Sequence, residues 1–228
     1  MKKILLLSGL LMAFSWAHAQ DKPVELGLQI GINLASNSVE SNYFENSGTG
    51  VRLSGGLVAD IFLAERYAFS TGVRYTIKRS SLQSTVAGVP SNSSYYNLQT
   101  LQLPVTLKLF TSEISQDTRM YFQLGGALDI NLAERPLDKA NNFIYNATKE
   151  QDGSVYKSLG ASLLLAAGVE LQLTDTNKAY LGLSYNRGLS QAMGSVATNK
   201  VAPFNGEKVN DLISSFNHLF GIEVGIKF

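Results

Sequence analysis

The chain closes on Ser215-Phe216-Asn217-His218-Leu219-Phe220-Gly221-Ile222-Glu223-Val224-Gly225-Ile226-Lys227-Phe228. Counting back in twos from Phe228 collects Ile226, Val224, Ile222, Phe220, His218 and Phe216 on one row. Lys227, Gly225, Glu223, Gly221, Leu219 and Asn217 fall on the other. One row is apolar and the other polar or small, the period-two signature of a strand with two chemically different faces.

The pattern recurs upstream with turn residues between the repeats. Strands are expected over residues 24–34, 51–63, 67–79, 95–110, 119–131, 158–173 and 179–189, ahead of the terminal strand. Pro104 should break the ladder of the fourth, because proline cannot donate to it. Leu164 interrupts the sixth, where a buried helical turn over 161–169 is the alternative. The connections alternate long and short, and eight is an even count. Long outer loops, short periplasmic turns and both ends on the periplasmic side describe an outer-membrane barrel. The expected fold is therefore all-β, an eight-stranded antiparallel up-and-down transmembrane β-barrel.

Lys2 and Lys3, the apolar run Ile4 to Trp16 and the small-x-small triplet Ala17-His18-Ala19 form a secretory signal, too short to span a bilayer. Cleavage is expected after Ala19, leaving residues 20–228 as a single barrel domain in the outer membrane. Losing Lys2 and Lys3 leaves 17 basic against 18 acidic residues, a balance with no footprint for nucleic acid. The chain has no cysteine, so neither disulfides nor thiolate metal sites can form.

Alternation alone does not say which row faces inward, because a soluble barrel would enclose its apolar row around a ligand. In a membrane the polar row must face the lumen, since Arg or Lys at the midplane of the lipid face costs roughly 2–4 kcal/mol. The lumen is then expected to hold a self-satisfied polar network of Arg52, Asp60, Arg74, Lys108, Asp129, Glu170 and Glu223. An ion path or ligand pocket is the alternative. Tyr67, Phe69, Tyr75, Tyr96, Tyr185, Phe216 and Phe228 are expected in interfacial aromatic girdles.

Catalysis would have to centre on His218, the one histidine after the signal, and no serine and carboxylate stand at persuasive spacing to it. No catalytic residue, metal site or cofactor is therefore expected. Phe143, Tyr145 and Tyr156, in the long segment 132–157, are the candidate contacts for a partner or surface polymer.

The stretch Leu101-Gln102-Leu103-Pro104-Val105-Thr106-Leu107-Lys108 resembles the PorT-like outer membrane β-barrel family of Bacteroidota. Gly31-Ile32-Asn33, Tyr67 to Tyr75 with Gly72, Tyr121 to Leu128 with Gly125-Gly126, and Gly225-Ile226-Lys227-Phe228 are similar to it as well. The resemblance spans nearly the whole chain after the signal. It implies a barrel, brings no catalytic or ligand residues, and links the namesake to protein secretion. Phe228 looks like the signal read by the barrel-assembly machinery. The partners expected are membrane lipid and lipopolysaccharide, that machinery during biogenesis, and an outer membrane protein of a secretion or adhesion assembly. A structural or interaction role is the leading expectation, ahead of a narrow pore for small solutes and of a lipid-modifying enzyme.

Overall fold

The computed structural model describes residues 24–41, 44–85, 93–148, 154–194 and 214–228. The expected cleavage site at Ala19 lies outside these residues. Eight strands follow in order: β1 Val24–Glu40, β2 Gly50–Ala64, β3 Tyr67–Ser84, β4 Ser93–Ser115, β5 Thr118–Leu137, β6 Leu159–Gln172, β7 Lys178–Gly188 and β8 Ser214–Lys227. Each pairs antiparallel with the next. β1 pairs with β8 from Gly27↔Lys227 to Glu40↔Ser214, which closes the sheet. Closure removes the unpaired edge, whose backbone groups would each cost several kcal/mol in hydrocarbon. The fold is an all-β, eight-stranded, up-and-down antiparallel barrel.

The two rows separate as polarity demands. Ile30 is 67% exposed on the outer wall while its neighbour Gln29 is 9% exposed on the inner one. The outer row of β1 runs Leu26, Leu28, Ile30, Ile32 and Leu34, and that of β8 runs Phe220, Ile222, Val224 and Ile226. Pro104 interrupts one ladder only. It pairs with Ala127 of β5, whereas the β3–β4 pairing jumps from Thr71↔Val105 to Arg74↔Gln102. Thr71 Oγ1 donates to the Pro104 carbonyl across that gap, at 2.8 Å. Segment 161–169 is strand, and Leu164 points inward, buried between Gly125 and Asn186.

Several expected boundaries require correction. β1 extends to Glu40, β3 to Ser84 and β5 to Leu137, and β4 reaches from Ser93 to Ser115. The reason is an inversion of polarity along the strands. Past the membrane band the inner row turns apolar, with Leu82, Tyr96 and Leu98 all buried inside the upper barrel. Tyr96 is thus a core residue rather than a girdle residue. A register shift between Gln99 and Thr100 further leaves Leu132 without a β4 partner, so the row in β5 changes sides and Glu134 sits opposite Leu98. A short helix, α1 (Phe143–Thr148), lies in the β5–β6 connection, and a two-residue strand, Phe44–Glu45, pairs with the top of β3.

Gly125 marks where the wall has no room. A Cβ there would lie 2.3 Å from the Val105 carbonyl oxygen and 2.6 Å from Thr106 Cα, both backbone atoms of β4. Gly125→Val is therefore expected to destabilise the barrel by about 1–3 kcal/mol through overpacking. The check is the urea midpoint of the heat-modifiable folded band on gels, which should fall relative to the parent protein.

Candidate functional site

The lower lumen is organised around Lys227, the last residue of β8. Its ammonium lies 2.6 Å from Asp60 Oδ2 and 3.5 Å from Glu25 Oε2, and also pairs with Glu170. Lys108 adds a second cation to Asp60 at 3.0 Å, and the Ser70 hydroxyl donates to the same carboxylate at 2.5 Å. Arg119 binds Glu170 through Nη2 at 2.5 Å, while Lys178 pairs with Glu25. Antiparallel register explains the convergence, because Glu25 and Asp60 are cross-strand partners, as are Asp60 and Ser70. Aromatic rings floor the cluster, with Lys108 Nζ 4.3 Å from the Tyr121 ring centroid and the Arg119 guanidinium carbon 3.9 Å from that of Phe110. Quadrupolar ring faces supply attraction to cations that water would otherwise solvate.

Higher in the lumen, Arg74 grips Glu223 with two parallel bonds of 2.7 and 3.1 Å, and Ser184 donates to the same glutamate at 2.7 Å. Above that, Lys78 meets Asp129 at 2.7 Å and Gln102 donates to the other carboxylate oxygen at 2.6 Å. Six of the seven expected charges thus sit in paired lumen layers. Arg52 does not. It is half-buried at the upper rim, where Nε donates to Asn97 Oδ1 at 2.9 Å and Nη1 to the Val51 carbonyl at 2.6 Å. The cause is the end of β2–β3 pairing at Ser54↔Thr76, above which Arg52 is no longer held between those strands.

Sequence reasoning omitted Glu25, Lys78, Arg119, Lys178 and Lys227 from this network. Parity along the strands is a usable signal for Lys78, Arg119 and Lys227, which share their rows with Arg74, Asp129 and Glu223, whereas Glu25 and Lys178 lie on β1 and β7, which carry none of the expected charges. Among the described residues, small cavities lie inside, about 10 Å³ beside Arg74, Tyr121 and Glu223 and about 20 Å³ beside Lys78 and Asp129. Each is of the order of one water molecule.

The upper mouth is closed by a different chemistry. Ile144 of α1, Val155, Tyr156, Ala192 and Met193 pack on Phe44, Leu82, Tyr96 and Leu98 as one apolar cluster. Glu134 fastens this plug by accepting the backbone N–H of Val155 at 3.1 Å and of Tyr156 at 2.8 Å, together with the Ser154 hydroxyl. Tyr156 is 1% exposed, which corrects its expected role as a surface contact. Burial pushes its phenol above the ordinary tyrosine range. Tyr145 is half-buried against the same cluster, below Lys139 at 5.5 Å. Phe143 begins α1, and its side chain lies outside the described residues.

His218 faces outward near the top of β8. Its Nδ1 meets the Tyr185 hydroxyl and its Nε2 the Ser38 hydroxyl, each at 3.0 Å. Hydroxyls rather than a carboxylate therefore engage both ring nitrogens. The oxygens of Glu25, Asp60 and Glu170 come within 4.8 Å of one another, a spacing that suits a cation. The Lys227 ammonium already stands among them.

A closed barrel with an apolar outer band and a charge-paired lumen defines an integral outer membrane β-barrel protein. The chain belongs to the family described as outer membrane protein beta-barrel domain, which its residues 18–194 match. Among solved structures it is similar to Neisserial surface protein A at 14% identity, covering 89% of this chain and 97% of that one with a TM-score of 0.45. It is also similar to Ail, the attachment invasion locus protein of Yersinia pestis, crystallised with the heparin analogue sucrose octasulfate. That match has 10% identity, 91% and 100% coverage and a TM-score of 0.39. The N-terminal β-barrel domain of Pseudomonas aeruginosa OprF matches at 11% identity, with 88% and 97% coverage and a TM-score of 0.35. No curated protein matches the chain.

Two outcomes are expected from the lumen and the plug. Lys227→Met removes the cation shared by Asp60 and Glu170 but leaves Lys108 on the first and Arg119 on the second, and should cost about 1–3 kcal/mol in urea unfolding from lipid vesicles through the lost charged hydrogen bonds. Glu134→Ala should leave the barrel's heat-modifiable folded form in place. Amide exchange at Val155 and Tyr156 should rise at least about tenfold, reported by hydrogen–deuterium exchange mass spectrometry.

Proposed function

We propose that this protein is a closed, non-enzymatic outer membrane scaffold that works through its outer surface, presenting loops to a partner in a secretion or adhesion assembly. The observation that carries this reading is the double closure of the lumen. Paired charges fill it below, and the Tyr156 plug covers it above, so the accessible surfaces are the lipid-facing wall and the turns at either end. Cavities on the scale of single waters support a non-conducting barrel over a narrow pore. The His218 contacts to Tyr185 and Ser38, with no carboxylate bonded to the ring among the described residues, support a structural role over lipid hydrolysis.

The narrower PorT-like affiliation belongs to the same proposal and rests on the 101–108 stretch. So do removal of the signal after Ala19 and recognition of Phe228 by the barrel-assembly machinery. Within the outer loops, the surface of 138–148 around Lys139 and Tyr145 replaces Tyr156 as the contact region.

The test is mild-detergent purification of the tagged barrel from its own outer membrane, with mass spectrometry of what stays bound. A protein recovered near one-to-one and lost on shortening 138–148 is expected. Recovery of the barrel alone would refute the assembly role. In planar bilayers the purified protein should show conductance indistinguishable from lipid background, and regular unit steps would instead favour the pore.

A further inference from the structure

Two arginines at the upper rim of the barrel stand together without an acid. Arg52 Nη1 and Arg79 Nη1 lie 3.1 and 2.7 Å from the point that a Cβ on Gly50 would occupy. The two nitrogens are therefore no more than about 6 Å apart, a separation at which like charges still repel. The arginines of the lumen are treated differently, since Arg74 holds Glu223 and Arg119 holds Glu170. Among the described residues neither Arg52 nor Arg79 has a carboxylate within ion-pair distance. Arg79 Nε is buried with no hydrogen-bond partner.

The surroundings preorganise the pair. Asn97 is the cross-strand partner of Arg79 and accepts from Arg52 Nε at 2.9 Å. The Arg79 guanidinium stacks 4.6 Å from the centroid of the Tyr95 ring, which fixes its plane. Two guanidinium groups whose nitrogens lie no more than about 6 Å apart can both reach the oxygens of one tetrahedral anion, each donating a charge-assisted bond.

The height of the pair says where that anion would come from. On β3 the outward residues Tyr67, Phe69, Val73, Tyr75 and Ile77 form the lipid-facing row, and Arg79 is the next outward position. Ten strand steps from Tyr67 to Ile77, at the usual tilt, climb about 25 Å, the height of the apolar band of such barrels. Arg79 therefore stands at the headgroup level of the outer leaflet. We propose that Arg52 and Arg79, braced by Asn97 and Tyr95, bind a phosphate of a phosphorylated glycolipid of that leaflet. The inference rests on the membrane orientation used above but not on any protein partner.

The test uses the full barrel in detergent, with lipid A, enzymatically dephosphorylated lipid A and inorganic phosphate as probes in native mass spectrometry. Lipid A should remain bound to the parent protein. The Arg52→Gln/Arg79→Gln double variant should retain it at least about tenfold less well, as should the parent with dephosphorylated lipid A. Arg66→Gln, at the opposite end in the β2–β3 turn, should bind like the parent, and heat modifiability should show all variants folded. Equal retention by the double variant would overturn the site. Displacement of lipid A by about 10 mM inorganic phosphate, with no preference for the phosphorylated lipid, would overturn the lipid source in favour of a free anion. Neither result would bear on the protein-partner experiment, which reads the loops.

Discussion

The pairing of Lys227 with Asp60 and Glu170 is the contact on which the rest of the barrel depends. In lipid the apolar row gains nothing by leaving the interior of the protein, so the burden of filling an eight-stranded lumen falls on the polar row. Every charge placed there is stable only beside its opposite. Lys227 joins β8 to β2 and β6 through the centre of the barrel, which the backbone ladder cannot do. Arg74 with Glu223 repeats the device one layer higher, between β3 and β8. Cross-lumen charge pairs therefore specify register across the barrel where side-chain volume alone would not.

Much of this was legible in the residues. The alternation from Phe216 to Phe228, the even strand count and the long and short connections all carry a period or a length that a single sequence displays. Six of the seven charges assigned to the lumen lie there for the same reason. Arg52 escaped because its position depends on where β2 stops pairing with β3, a tertiary event with no local mark. The upper strand ends escaped because the rule used to find them reverses above the membrane. Once Leu82, Tyr96 and Leu98 turn inward, an apolar side chain no longer signals lipid. Tyr156 was misplaced by the same reasoning, since a loop aromatic reads as exposed until Glu134 is seen to hold its backbone in place.

The two closures of the lumen rest on unlike physics. Below, desolvated ion pairs lock the strands with directional bonds, and removal of one partner leaves a charge stranded. Above, the plug is an ordinary apolar core with aromatic contacts such as Tyr96 against Tyr156 at 5.3 Å between centroids. An apolar core tolerates substitution more gradually than a charge cluster does. The mouth is therefore the part of the barrel where sequence can drift while the wall stays fixed.

The inversion of polarity along β3 and β4 also sets a distance. From Ile77, the last apolar outward residue of β3, to Ser84 the strand continues for seven steps, or about 18 Å of height at the usual tilt. A strand end that stopped at the headgroups would leave its turns among lipid sugars. Here β3 and β4 stay paired past that layer, so the barrel wall continues above the headgroups as a pedestal. A molecule arriving from outside would meet protein before it met lipid.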